Sequence, residues 1–300
     1  MAKRTRVCAN RLMDPSIVFL GFGEAAQTFC GDPGWRAKCS GYDIKLAQKS
    51  TRGQKLTEFE KLGVEALDDV SDAISGADII LSLVTADEAE AAAKSVARFT
   101  KPDAVYFDMN SVAPQQKRAS SKIFDAAGAR YVDAAIMAPV QPAALRVPIL
   151  LSGPGDDTAR QTLSELGFSS VDVVGSDIGS ASTIKMVRSV MIKGIEALTA
   201  ECLLAANAAG VSDEVLQSLG DQWLEQSNYN LERMLVHGER RAAEMDQVCA
   251  TLENLGVPPL MSRNTATLQR KLGEIGQGAA PDDLTNKLNT IARLSKAPDA

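Results

Sequence analysis

Apolar and polar residues alternate along this chain in two rhythms, and the change between them falls just after Gly175. From Ser16 to Gly175, short apolar runs rich in Val, Ile, Phe and Tyr are separated by stretches with helical spacing. Turns carrying Gly and Pro punctuate them, such as Thr100-Lys-Pro-Asp103 and Ser152-Gly-Pro-Gly155. Runs bounded in this way read as strands, and strands alternating with helices predict a parallel sheet covered by helices. The predicted strands are Ile17 to Leu20, Ala37 to Tyr42, Val64 to Leu67, Asp78 to Val84, Ala104 to Met109, Tyr131 to Met137, Pro148 to Ser152 and Val171 to Val174. After Gly175 the strand-like runs vanish. Ser180 to Ala209 contains no Pro and a single Gly194 among many Ala, Leu, Ile and Met residues, which predicts one long, largely buried helix. Further helices are predicted at about Asp213 to Gln222, Tyr229 to Leu255 and Ser262 to Ile275, with a weaker pattern from Pro281 to Leu294.

The first predicted strand runs into Gly21-Phe22-Gly23-Glu24-Ala25-Ala26, and the second ends at Asp43. A first glycine permits a tight strand-to-helix turn, and a second lets the backbone approach a pyrophosphate at the helix N-terminus. Ala26 stands where a third small residue allows close helix-to-strand packing. A carboxylate about 20 residues beyond the turn can accept hydrogen bonds from a ribose diol. Gly21, Phe22, Gly23, Glu24, Ala25, Ala26 and Asp43 are therefore candidate dinucleotide-binding residues, joined by Val84 at the end of the fourth strand. The expected fold class is α/β: a Rossmann-like, mostly parallel sheet domain over residues 16–178, then an all-helical domain over 179–300 suited to substrate binding and dimerisation. Residues 1–15 read as an N-terminal extension.

Composition narrows the partners. With 300 residues, 45% hydrophobic and 23% charged, the chain is long enough for two substantial cores. A formal net charge of −6 argues against nucleic acid or an anionic membrane surface as the main partner, and no stretch has membrane-spanning length. The five cysteines lack a C-x-x-C pair, so neither a disulfide framework nor a zinc site is indicated, and a cytoplasmic location is expected. One histidine, His237, excludes multi-histidine metal centres, and no metal is expected.

Three further motifs occur in order: Asp108-Met-Asn110-Ser111-Val-Ala-Pro114, Val132-Asp133-Ala-Ala-Ile-Met137-Ala138-Pro139 and Gly175-Ser-Asp-Ile-Gly179-Ser-Ala-Ser-Thr-Ile-Lys185. With the glycine turn and the two-part layout, they resemble the β-hydroxyacid dehydrogenases, the group containing 3-hydroxyisobutyrate and 6-phosphogluconate dehydrogenases. His237-Gly-Glu-Arg240-Arg241-Ala-Ala-Glu244-Met245 is similar to the helical domain of a less characterised branch. The resemblance implies an NAD(P)-dependent oxidoreductase that transfers hydride between a small 3-hydroxy acid and a nicotinamide, with Lys185 as the catalytic proton relay. It further implies substrate contacts from Asn110, Ser111, Met137, Arg188 and Ser189, and from His237, Arg240 and Arg241 in the helical half. A homodimer or larger assembly is expected.

The residues support parts of this independently. Oxidising an alcohol by hydride transfer requires removal of the hydroxyl proton, and a positioned lysine can relay it. Arg188 and Ser189 share the helical face of Lys185 at i+3 and i+4. Lys193 stands three residues before Glu196, which predicts a plain ion pair within the helix. Where the family it resembles has Ser-Gly-Gly, this chain has Met137-Ala138-Pro139, and Pro139 has no N–H to offer a substrate carboxylate, so the resemblance implies another anion contact, with Gln141 and Arg146 nearby. Asp43 favours NAD, since a carboxylate repels the 2′-phosphate of NADP, although Lys45 leaves NADP open. A noncatalytic dinucleotide sensor and an imine reductase are the alternatives, and retention of Lys185 argues against the second.

Overall fold

Eight strands form one sheet in the computed structural model, which describes residues 15–292. They are β1 (Ile17–Leu20), β2 (Cys39–Tyr42), β3 (Glu65–Ala66), β4 (Ile79–Ser82), β5 (Val105–Asp108), β6 (Arg130–Ile136), β7 (Ile149–Ser152) and β8 (Val171–Gly175), in the order β3-β2-β1-β4-β5-β6-β7-β8. All eight predicted strands are present, shortened or shifted by a residue or two at the ends. Pairing is parallel except between β6 and β7, where Asp133 faces Ser152 and Ile136 faces Ile149. The fold class expected from the pattern is therefore found. The extension expected over residues 1–15 falls outside the described residues apart from Pro15.

The connecting helices are α1 (Glu24–Gly31), α2 (Lys49–Lys61), α3 (Val70–Ser75), α4 (Ala89–Ala97), α5 (Pro114–Ala126) and α6 (Asp156–Leu166). They bury both sheet faces, which explains why β1 is apolar throughout. Ile17 and Phe19 enter one core with Phe22, Phe29 and Phe107, whereas Val18 and Leu20 enter the other with Ile80, Tyr106 and Phe124. Chain order reverses at β1, whose neighbours are β2 and β4. That reversal opens a crevice at the C-terminal strand ends, where ligands of such sheets bind.

The remaining helices are α7 (Ser180–Ala209), α8 (Ser212–Leu219), α9 (Gln222–Asn254), α10 (Leu260–Gly276) and α11 (Leu284–Ile291). Helix α7 runs its full predicted length and stops at Gly210, whose left-handed backbone (φ +72°) lets its N–H reach the carbonyls of Ala206 and Asn207. Helix α9 begins at Gln222 rather than Tyr229, because Trp223 and Leu224 are adjacent and the rest of the first two turns is polar, so no apolar helical period marks them. Ala197, Ala200 and Leu203 of α7 pack on Leu231, Met234 and Leu235 of α9 and Leu272 of α10. Helices α9 and α10 touch backbone to backbone. A Cβ on Gly238 would lie 2.3 Å from the Gln269 carbonyl oxygen and 2.5 Å from the Gly273 nitrogen.

Two compact units result. Among the described residues, the first comprises 15–110 and 118–178, the second 111–117 and 179–292. The principal division follows Ile178, but Ser111–Lys117 belongs with the helices. Within that unit the Ala113 N–H donates to Gln247 Oε1 at 3.0 Å, and Gln115 Nε2 donates to the Ala250 carbonyl at 3.1 Å. Among the described residues no helix is long and apolar enough to cross a membrane, and no group of His, Cys, Asp and Glu is placed to hold a metal ion.

Candidate functional site

The glycine turn is built for close approach from outside. Gly21 adopts φ +89°, and a Cβ there would lie 2.6 Å from the Leu83 carbonyl oxygen and 2.9 Å from Val84 Cγ1, so the turn is pressed against the β4 loop. Gly23 is different: its φ is −89°, and a Cβ there would meet nothing within 4 Å. It is the N-cap of α1 and supplies no side-chain cap, so the amides of Glu24, Ala25 and Ala26 head a helix whose positive dipole end faces open space. The chemistry and the room suit a pyrophosphate. Ala26 is fully buried in the core beneath the turn, the packing role expected of it.

Asp43 closes the turn from the second strand. Its Oδ2 accepts the Phe22 N–H at 2.8 Å and its Oδ1 accepts the Lys45 N–H at 2.9 Å. Each carboxylate oxygen retains a lone pair for a ribose hydroxyl. The expectation that Phe22 faces a dinucleotide needs correction. Its ring is fully buried and stacks on Phe59 with centroids 3.9 Å apart, its N–H is held by Asp43, and its carbonyl accepts from Lys55 Nζ at 2.8 Å and Gln27 Nε2 at 3.0 Å. Phe22 anchors the turn from below.

Lys55, Gln27 and Glu58 were not singled out by the sequence pattern. The Lys55 ammonium is buried, pairs with Glu58 and stands 3.8 Å from Asp43 Oδ2. Burial would raise the Glu58 carboxyl, but Lys55, Gln54 and Gln27 outweigh it and hold it below the usual range. A lysine at helical spacing ordinarily reads as solvated, which concealed this clamp.

Beside the turn, Val84 donates its N–H to Asn110 Oδ1 at 2.7 Å, and Asn110 Nδ2 donates to Ser82 Oγ at 2.9 Å and Asp108 Oδ1 at 2.8 Å. Tyr131 closes the set by donating to Asp108 Oδ2 at 2.5 Å. Both amide hydrogens of Asn110 are thus engaged within the first unit, and the residue is buried. Asn110, expected to contact the substrate, here braces Val84 beside the glycine turn. Ser111 differs, since its buried Oγ has no hydrogen-bond partner among the described residues. Met137 is half-buried just past β6, with its N–H donated to the Pro148 carbonyl at 2.8 Å. Gln141 and Arg146 are exposed, and Gln141 donates to Thr28 Oγ1 at 3.3 Å.

In the helical unit, Lys185, Ser189 and Lys193 recur every fourth residue and so share one face of α7. Ser189 donates to the Lys185 carbonyl at 2.9 Å and accepts from Lys193 Nζ at 3.4 Å, so its hydroxyl is held inside the helix rather than presented to a substrate. The predicted Lys193–Glu196 pair is not formed. Lys193 pairs with Glu244 of α9 at 2.8 Å, while Glu196 takes a forked ion pair from Arg241, whose Nε lies 3.0 Å from Glu196 Oε2, and a further hydrogen bond from Gln269 at 2.9 Å. Helix α9 packs on this face, and its opposite charges reach groups that a neighbour along α7 meets less directly. Burial would raise the Glu244 carboxyl, yet Lys193 and Lys185, with a lesser contribution from Arg241, hold it down to about 2. Arg241 is buried against Glu196, so its expected substrate role gives way to a structural one. Arg188 and Arg240 are exposed and His237 is half-buried. Burial, with Arg241 and Arg240 adding, lowers the Arg233 guanidinium, and its Nε has no partner among the described residues.

Residues 35–175 match the family described as the NAD binding domain of 6-phosphogluconate dehydrogenase, and residues 206–272 match a domain of unknown function, DUF1932. A conserved hypothetical protein from Sinorhizobium meliloti 1021 is 36% identical, with 94% of this chain and 97% of that one covered and a TM-score of 0.72. A protein of unknown function, described by its structural similarity with 3-hydroxyacid dehydrogenases, is 29% identical over 88% of this chain and all of that one, with a TM-score of 0.66. The Mycobacterium tuberculosis 3-hydroxyisobutyrate dehydrogenase, solved with L-serine, shares the fold at 15% identity, with coverage of 94% and 99% and a TM-score of 0.72. Fold, turn and matches together define a nicotinamide-dinucleotide-binding domain of the 6-phosphogluconate dehydrogenase type within a 3-hydroxyacid dehydrogenase fold. The chain belongs to the β-hydroxyacid dehydrogenase family, on a branch whose helical half carries the DUF1932 domain.

Proposed function

We propose that the protein oxidises a small 3-hydroxy acid, with Lys185 relaying the hydroxyl proton. The observation that carries this reading is the charged face of the helical unit, where Lys185, Ser189 and Lys193 share one side of α7 and Glu244 of α9 pairs with Lys193 at 2.8 Å. When bound, the nicotinamide accepts the hydride. Lys185, reacting as the neutral amine, takes the proton released as the carbonyl forms, and the negative charge of Glu244 stabilises the ammonium that results. Ser111, whose buried hydroxyl lacks a partner, positions the substrate. Arg188, Arg240 and His237 are the side chains proposed to meet the substrate carboxylate. Asp43, with a lone pair left on each oxygen, supports NAD over NADP.

A noncatalytic dinucleotide sensor is the second reading. It is favoured by the engagement of Asn110, Ser189 and Arg241 in internal bonds. Turnover separates the two. NADH formation is measured with a panel of short 3-hydroxy acids, for the wild type and Lys185→Ala, alongside NADH binding by fluorescence. Loss of turnover with retained binding in the variant supports the dehydrogenase. Tight NADH binding by the wild type without turnover of any acid establishes the sensor.

We also propose a homodimer. Ile184, Val187, Met191 and Leu198 form an exposed apolar stripe along α7, more than a solvated helix face ordinarily carries. Sedimentation as a monomer at micromolar concentration would contradict it.

A further inference from the structure

Cys30 and Cys39 stand nine positions apart in the sequence, without a recognisable pairing motif, yet their sulfur atoms lie 3.8 Å apart. Cys30 closes the last turn of α1, and Cys39 opens β2 opposite Ile17 of β1. Both are half-buried and pack at the margin of the same core as Trp35. A disulfide needs about 2.05 Å between sulfurs, so an approach of roughly 1.8 Å would complete one.

We propose that Cys30 and Cys39 form a reversible thiol–disulfide pair whose oxidation loosens the dinucleotide cradle. The second half rests on the dinucleotide reading given above. Helix α1 carries Cys30 at one end and the Gly23 N-cap at the other, and β2 runs from Cys39 to the residue before Asp43. Drawing the two sulfurs together pulls on both walls of the cradle at once. Helix α1 is only 8 residues long and stiff over that length, so movement at Cys30 shifts the amides that head it.

The chemistry balances with a small peroxide as oxidant. The hydrogen bond between the two sulfur atoms lowers the Cys39 thiol, an effect burial opposes and Trp35 aids, and raises Cys30 correspondingly. The Cys39 thiolate attacks a peroxide oxygen, breaking the O–O bond to give a sulfenic acid and hydroxide. Cys30 sulfur then attacks the Cys39 sulfur, and the sulfenic oxygen leaves as hydroxide that takes up the Cys30 proton to give water. Two electrons pass from the thiols to the peroxide, and the hydroxide from the first step combines with the proton that Cys39 lost on ionising, leaving two waters. In a reducing compartment such a bridge is transient and responsive rather than structural.

The test uses the reduced full-length protein. Stoichiometric hydrogen peroxide is expected to lower the intact mass by about 2 Da, with a peptide link between Cys30 and Cys39 that dithiothreitol reverses. Cys30→Ser should stop the reaction at a sulfenic acid on Cys39 that dimedone traps. Trp35 fluorescence should change on oxidation of the wild type and not of Cys30→Ser. NADH should bind the oxidised form at least about fivefold more weakly than the reduced form, within the usual range of coupling between sites. Over-oxidation of one cysteine without a link, or a link through another cysteine, overturns the pair. Equal NADH affinities overturn its coupling to the cradle. Failure of both forms to bind NADH removes the dinucleotide reading and the coupling with it, while the mass measurement still decides the bridge.

Discussion

Asp43 accepts the amide hydrogen of Phe22 at 2.8 Å, so the acid that follows β2 also fixes the turn that follows β1. Replacing it removes a structural acceptor and a ribose acceptor together. Asp43→Ala is expected to lower stability by about 1–3 kcal/mol, the scale of hydrogen bonds to a charged group. It should also shift the NADH-to-NADPH affinity ratio towards NADPH. Urea unfolding and paired fluorescence titrations measure the two effects, and an unchanged ratio would show that the carboxylate does not face the 2′ position.

The two glycines of the turn should fail differently. Gly21→Ala forces a side chain into the left-handed region and into the Leu83 carbonyl, with an expected stability loss above about 2 kcal/mol. At Gly23 the backbone suits any residue and space is open, so Gly23→Ala should remain within about 1 kcal/mol of the wild type. Its dinucleotide affinity should nevertheless fall at least about tenfold, because the open space is where the pyrophosphate approaches. Thermal unfolding beside NADH titration checks the pair, and full NADH affinity in Gly23→Ala would move the pyrophosphate elsewhere.

Glu196 is buried and held by Arg241 and Gln269, which makes the guanidinium difficult to replace. Arg241→Ala leaves an uncompensated carboxylate and is expected to cost about 3–5 kcal/mol. The double variant Glu196→Leu with Arg241→Met removes both charges and should recover most of that loss. Guanidinium chloride unfolding gives both values.

Glu244 confers a pH dependence whose sign follows from its partners. Its carboxyl sits at about 2 when folded, below the roughly 4.3 of an unfolded glutamate. Its contribution, of the order of 2–3 kcal/mol, is complete above the unfolded value and disappears as pH falls from about 4.5 to 2. Glu244→Gln should therefore be less stable than the wild type at pH 7, with the gap narrowing through that window. A constant gap from pH 7 to 3 would show that the carboxylate is not electrostatically coupled to Lys193 and Lys185.

Local periodicity made the eight strands and the extent of α7 legible, because burial of both sheet faces and of one helix stripe writes itself into neighbouring residues. The glycine turn was legible for a related reason: Gly21 occupies a backbone region that few other residues tolerate. Partner choice was not legible. Lys193 has Glu196 three residues away, yet each found its partner on α9, far along the chain, because packing decides which charges are buried together. Asn110 looked like a substrate ligand from its motif and is instead filled by Ser82, Asp108 and Val84. Cys30 and Cys39 carried no spacing signal, since α1 and β2 bring them together through the fold.

The seven residues from Ser111 to Lys117 follow β5 in the chain but anchor to α9 through Ala113 and Gln115. A chimaera that grafts a relative's sequence after Ile178 onto this chain would therefore leave one strip of the helical half behind, mismatched to its new Gln247. Domain exchange within this family has to transplant two separate stretches, and a cassette cut at a single junction should yield poorly folded hybrids.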